Sequence, residues 1–102
     1  MTVVTVMYPR SEGSTFDFDY YLAKHIPLAK ARFGECGMTD VRLFRGEGTL
    51  DGTAPAYALI AELFFPSVKH VQDAMARHRA EVIADIPNYT NVQPVVQLCE
   101  TL

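Results

Sequence analysis

His25 is where a chemical reading of this chain begins. It stands in the stretch Phe16–Phe33, FDFDYYLAKHIPLAKARF, whose spacing predicts a helix. At about 100° per residue, Phe18, Leu22, His25, Ala29 and Phe33 fall in one narrow arc, with Ile26 close by. An imidazole in a core position points at whatever the helix covers. It titrates near neutrality, so it gives or takes a proton at little cost, as isomerisation, elimination or enolisation of a carbonyl compound requires. On these residues alone the alternative is a core histidine satisfied by a backbone or tyrosine partner. Tyr21 lies one turn earlier and shares the side of His25, while Tyr20 lies further round. Either hydroxyl can orient an oxygen-bearing ligand, although tyrosines at helical spacing more often pack. Pro27 removes the N–H that would bond the Ala23 carbonyl and crowds the preceding turn, a defect costing about 3 kcal/mol. A helix that carries both this defect and a buried imidazole reads as a site rather than as scaffold.

A second group of candidates follows later in the chain. His78 sits at the edge of an apolar helical stripe and can approach His25 if both helices cover one sheet face; a solvated surface histidine is the alternative. Asp85, Asn88 and Tyr89 belong to ADIPNYT. The short polar groups of Asp85 and Asn88 suit a helix stop. In a functional reading this loop closes one end of a pocket, Asp85 orients a histidine and Gln97 faces the same space. Three histidines without HxH or HxxxH spacing imply no metal site. Gly46–Gly48 (GEG) lacks the frame of a phosphate loop, and no cofactor motif is present. Cys36 and Cys99 fit no CxxC or metal spacing and read as reduced thiols.

The elements that must position these groups are legible in the pattern. Thr2–Tyr8 is a β-branched run closed by Pro9, a strand. Thr15 or Asp17 can cap the helix that follows, and Gly34 and Gly37 end it. Met38–Glu47 reads as a strand and Gly48–Pro55 as a loop. Ala56–Phe65 is the clearest strand: Tyr57, Leu59, Ala61, Leu63 and Phe65 line one face, and Ala58, Ile60, Glu62 and Phe64 the other. Ser67 caps a helix from about Val68 to Ala84 with a buried stripe of Val68, Val71, Met75, His78 and Val82, ended at Ile86–Pro87. Pro94–Leu102 is a last strand.

The resulting order, β-α-β-β-α-β, is the ferredoxin-like arrangement of class α+β: a four-stranded antiparallel sheet with two helices on one face. The clearest strand is apolar on both faces, where a small antiparallel sheet usually has one wet face. A homodimer, sheet against sheet with two-fold symmetry, would cover the second one.

The 102 residues, 49% hydrophobic with five Tyr and six Phe, make one globular domain spanning 1–102. Nine basic against twelve acidic residues give a net charge of −3 without a basic run, which excludes nucleic acid and acidic membranes as natural partners. No apolar run approaches the length of a membrane span and no leader pattern opens the chain, so a cytoplasmic location is expected.

FDFDYYLAKHIPLA, YALIAELFF-S and ADIPNYTNVQPVVQ together resemble the EthD family, in order and over essentially the whole chain. YY-x-x-x-H-x-P and D-I-P-N-Y-T carry the specificity in combination. The resemblance implies a dimeric α+β barrel, in which two sheets close on each other with the helices outside, and a pocket between each sheet and its helices. It places the family's motif histidine at His25 and, in the variant nearest this chain, a histidine at His78. Related barrels include muconolactone isomerases, antibiotic-synthesis monooxygenases and stress-responsive proteins, so it implies an architecture and not a reaction. Two readings follow. The first is a cofactor-free acid/base enzyme of isomerase, dehydratase or oxygenase type acting on a hydrophobic oxygen-bearing molecule, with His25 as acid or base. The second is a non-catalytic ligand-binding or accessory protein of a degradative pathway.

Overall fold

The structure is a computed structural model that describes residues 1–102. Strand β1 is Thr2–Pro9, β2 Asp40–Arg45, β3 Tyr57–Phe65 and β4 Val95–Glu100. One helical segment runs between β1 and β2 and a second, Val68–Ala84, between β3 and β4. The strands form one antiparallel sheet in the order β2-β3-β1-β4, the ferredoxin-like topology that the element order predicts.

Strand register decides which side chains meet the helices. Val4 pairs with Leu63, Val6 with Ala61 and Tyr8 with Leu59. Val4 and Leu63 are packed in one core with Ala29 and Phe33 of the first helix and Val71, Ala74 and Val82 of the second. Both helices therefore cover the same face. The alternate residues, Val3, Thr5 and Met7 of β1 with Phe64, Glu62 and Ile60 of β3, lie on the opposite face, where no helix packs. Phe44 from β2 and Val95 from β4 are on that face, and Phe44 is 50% exposed.

The first helix is not regular. Its α-helical turn Phe18–Tyr20 is capped by the Asp17 side chain, which accepts the Tyr20 N–H; of the two expected caps, Thr15 does not serve. A π-helical turn, Tyr21–His25, follows, and the α-helix resumes over Ile26–Gly34. The Ile26 N–H bonds the Tyr21 carbonyl, five residues back. The irregularity lies immediately ahead of Pro27. A π turn takes in an extra residue and offsets the face before it. Leu22, expected in the inward arc, is 55% exposed, and Tyr21 takes the inward place at 1% exposure. His25, Ile26, Ala29 and Phe33 are buried as the spacing predicts.

The helix closes in a Schellman motif: Met38 N–H bonds Phe33 C=O, Gly37 N–H bonds Gly34 C=O, and Gly37 has φ +97°. A Cβ at Gly37 would stand 2.8 Å from His70 Cδ2. His70 is exposed and can move, but the positive φ cannot be relieved. Gly37→Ala is expected to cost about 1–2 kcal/mol in urea unfolding; a loss below a few tenths would mean that this cap contributes nothing.

In the second helix, Ser67 accepts the His70 N–H as cap. Val71, Ala74 and Val82 are buried, whereas Val68, expected in the stripe, is exposed. It is the first helical residue, and the end turn stands clear of the core, while the small Ala74 is fully buried.

Candidate functional site

The π turn sets the site. It stacks the Tyr21 and His25 rings, with centroids 5.3 Å apart and planes 20° from parallel. The second helix ends at Ala84 with Asp85 as its C-cap, and a single 3₁₀ turn, Ile86–Asn88, reverses the chain. The returning segment is stitched to the start of the first helix. Asp17 N–H bonds Tyr89 C=O at 2.7 Å, Thr90 Oγ1 donates to Thr15 C=O at 2.6 Å, and Phe16 pairs with Thr90 as a β-bridge. Asp85 and Tyr89 are thereby brought to opposite edges of the His25 ring.

His25 Nδ1 is 3.0 Å from Asp85 Oδ2, and Nε2 is 3.3 Å from the Tyr89 hydroxyl. Asp85 Oδ1 also accepts from the Tyr20 hydroxyl at 2.6 Å and from Asn88 Nδ2 at 3.0 Å. The Tyr89 and Tyr8 hydroxyls are 2.7 Å apart. A carboxylate only accepts, so the neutral imidazole carries its proton on Nδ1 and leaves Nε2 to accept from Tyr89. Tyr89, having donated to His25, accepts from Tyr8. The result is one directed chain, Tyr8 to Tyr89 to His25 to Asp85.

Burial tunes each group. Desolvation lowers the His25 pKa and outweighs the upward pull of the Asp85 carboxylate. At Asp85 burial raises the pKa, but hydrogen bonds from Tyr20, Asn88 and His25 prevail, and the net shift is downward. Burial pushes the Tyr8, Tyr21 and Tyr89 hydroxyls up, so these phenols stay neutral.

The two shifts act in one direction on stability. With the His25 pKa depressed in the fold, the unfolded chain binds more protons there, so this contribution is present above its ordinary value of 6.5 and lost as pH falls below it. Asp85 adds a loss of the same sign below its ordinary 3.8. The urea midpoint is expected to drop between pH 7.5 and 5.5, and to drop less in His25→Gln. An equal drop in both proteins would contradict a neutral buried His25.

Beside this network lies an apolar cleft of about 380 Å³ between the second helix and the β1–β4 side of the sheet. Its walls include Val4, Val6, Met75, Val82 and Val96. His25, Tyr20, Tyr21, Asp85, Asn88 and Tyr89 do not line it; Tyr8 does, and is the hydrogen-bonding link between cleft and network. On the other side a shallow depression of about 340 Å³ is bordered by Asn88, Tyr89, Asp17 and Asn91.

Of the residues singled out in the sequence, Tyr20, His25, Asp85, Asn88 and Tyr89 meet through hydrogen bonds, and Tyr21 joins by stacking. His78 stands apart, with Nε2 3.3 Å from the Glu35 carboxylate. Gln97 does not face this space. It pairs with Thr5 on the uncovered sheet face and bonds Cys99 Sγ, because alternation along β4 puts it opposite Val96. Both cysteines are free thiols, and no three His, Cys, Asp or Glu side chains gather as a metal-holding group. Tyr8 is the member missed in the sequence. Its signal is a tyrosine that follows Val4 and Val6 at the next inward position of the first strand.

A sequence model of the EthD domain matches residues 13–93. An EthD-like protein from Ralstonia eutropha JMP134, known as a crystal structure, is 36% identical, superposes with TM-score 0.90, and the match covers 97% of this chain and 89% of that one. An ethyl tert-butyl ether D (EthD) family protein from Bacillus halodurans C-125 is 20% identical with TM-score 0.74, covering 100% and 99%. An antibiotic biosynthesis monooxygenase, 12% identical with TM-score 0.51 over 99% and 97% of the two chains, shares the fold. No curated protein gives a significant match.

Proposed function

The chain belongs to the EthD family, and on that footing we propose that it binds a hydrophobic oxygen-bearing molecule in the cleft and moves a proton on it through the His25 network. The observation that carries this reading is the unbroken hydrogen-bond path from Tyr8, in the cleft wall, to the Asp85 carboxylate. An acidic C–H beside a carbonyl gives its proton to the Tyr8 oxygen, the Tyr8 proton passes to Tyr89, and the Tyr89 proton passes to His25 Nε2. The imidazolium so formed faces Asp85, whose carboxylate offsets the cost of a buried positive charge. The reverse sequence returns the proton to another carbon, giving isomerisation, or to a leaving group, giving elimination.

The test begins with native mass spectrometry and extraction of the protein from its own host to identify the bound molecule. Wild-type protein in D₂O should then exchange that molecule's acidic C–H faster than buffer does, followed by proton NMR. A second reading, binding without turnover, is favoured by the absence of any imidazole from the cleft wall. Bound ligand with no exchange would select it.

The partner in this proposal is a second copy of the chain. The uncovered face carries Val3, Met7, Phe44, Ile60, Phe64 and Val95, with Arg42 and Glu62 among them to pair across a two-fold axis. Phe44→Asp is expected to turn a dimer into a monomer in sedimentation velocity; a wild-type monomer would refute the arrangement. No helix is long and apolar enough to cross a membrane.

A further inference from the structure

The cleft contains one charge. Arg79 is the sole ionisable residue among its lining side chains apart from Tyr8, and Gln93 supplies the other polar group. On the helix its neighbours three and four residues away are Met75, Ala76, Val82 and Ile83, none of them acidic. Nearby arginines are engaged: Arg77 lies 3.8 Å from Asp73, and Arg32 bonds Glu81 at 2.6 Å. Arg79 has no ion pair and no hydrogen bond within the protein. It is exposed, so it stands at the cleft mouth, where its stem can extend the apolar wall and its guanidinium remain wet.

We infer that the molecule this cleft takes is an apolar carboxylic acid, held as its carboxylate by Arg79 with its body against Val4, Val6, Met75 and Val96. The inference rests on the cleft being the binding site proposed above. A guanidinium presents paired N–H donors that match a carboxylate, and one cation suits a monoanion rather than a phosphate ester. The chain as a whole carries −3, a field that disfavours anions, so a preference for an acid reports a local cation.

Isothermal titration calorimetry at pH 7 with 2-naphthoate, 2-naphthalenemethanol and protonated 2-naphthylmethylamine tests it, since the three share one apolar body. The carboxylate should bind about tenfold tighter than the alcohol, with the amine weakest. In Arg79→Met, which keeps an apolar stem, the carboxylate should fall to about the alcohol's affinity while the alcohol is unchanged. Equal wild-type affinity for acid and alcohol, or a preference that survives Arg79→Met, overturns the carboxylate inference and leaves the cleft reading standing. If no probe binds, the cleft reading falls and the inference with it.

Discussion

Asp85→Ala is expected to lower the unfolding free energy by about 3 kcal/mol. The carboxylate accepts from three side chains, Tyr20, His25 and Asn88, and they differ in what they lose. Asn88 is exposed and Tyr20 half-buried, so water replaces much of their bond. His25 is 5% exposed, and its Nδ1–H would be left in the interior without an acceptor, which alone costs about 1–3 kcal/mol. The helix stop suffers too, because the Asn88 side chain loses its anchor across the 3₁₀ turn. Asp85→Asn keeps an acceptor oxygen and should lose about half as much. Urea unfolding of both variants at pH 7 decides this. A loss under about 0.5 kcal/mol, within the range of ordinary surface changes, would reduce Asp85 to a hydrated helix stop and leave His25 without a partner that orients it.

His25→Ala is expected to cut turnover of the identified ligand by about 10²–10⁴-fold, the usual contribution of a positioned acid or base. Its affinity should change little, because His25 does not line the cleft. A fall in kcat with KM nearly constant is therefore the signature. Tyr8→Phe isolates the path from the base: the ring stays in the wall, the hydroxyl that meets Tyr89 at 2.7 Å is lost, and a decrease of similar order is expected. Circular dichroism of both variants separates this effect from unfolding. Full activity in His25→Ala would end the acid/base reading. Full activity in Tyr8→Phe alone would mean that the proton enters from the depression beside Asn88 and Tyr89.

Much of the architecture is written locally. Alternation in Ala56–Phe65 marks a strand whatever surrounds it, Pro9 and Pro87 end elements by what their rings forbid, and the ferredoxin-like order follows from counting elements. His25 is legible as inward because helical period alone puts it with Ala29 and Phe33. The aspartate of ADIPNYT is legible as a stop and as a candidate partner for a histidine.

What period cannot carry is an insertion in the period itself. The π turn over Tyr21–His25 exchanges Leu22 for Tyr21 at the buried face, and no residue there announces it except Pro27 downstream. Nor does alternation say where a strand begins: Gln97 falls on the face away from the site because β4 pairs Thr5 with it and Val6 with Val96. Convergence is beyond any local rule. His25 and Asp85 are 60 residues apart and Tyr8 and Tyr89 are 81 apart. They meet only because two helices share one sheet face and the loop after the second is bonded back to the start of the first. The chain by itself determined which residues could do acid/base chemistry. Tertiary packing decided which of them touch, that Tyr8 joins them to a cleft, and that His78 does not, since contact between distant residues depends on how elements are stacked rather than on what each one contains.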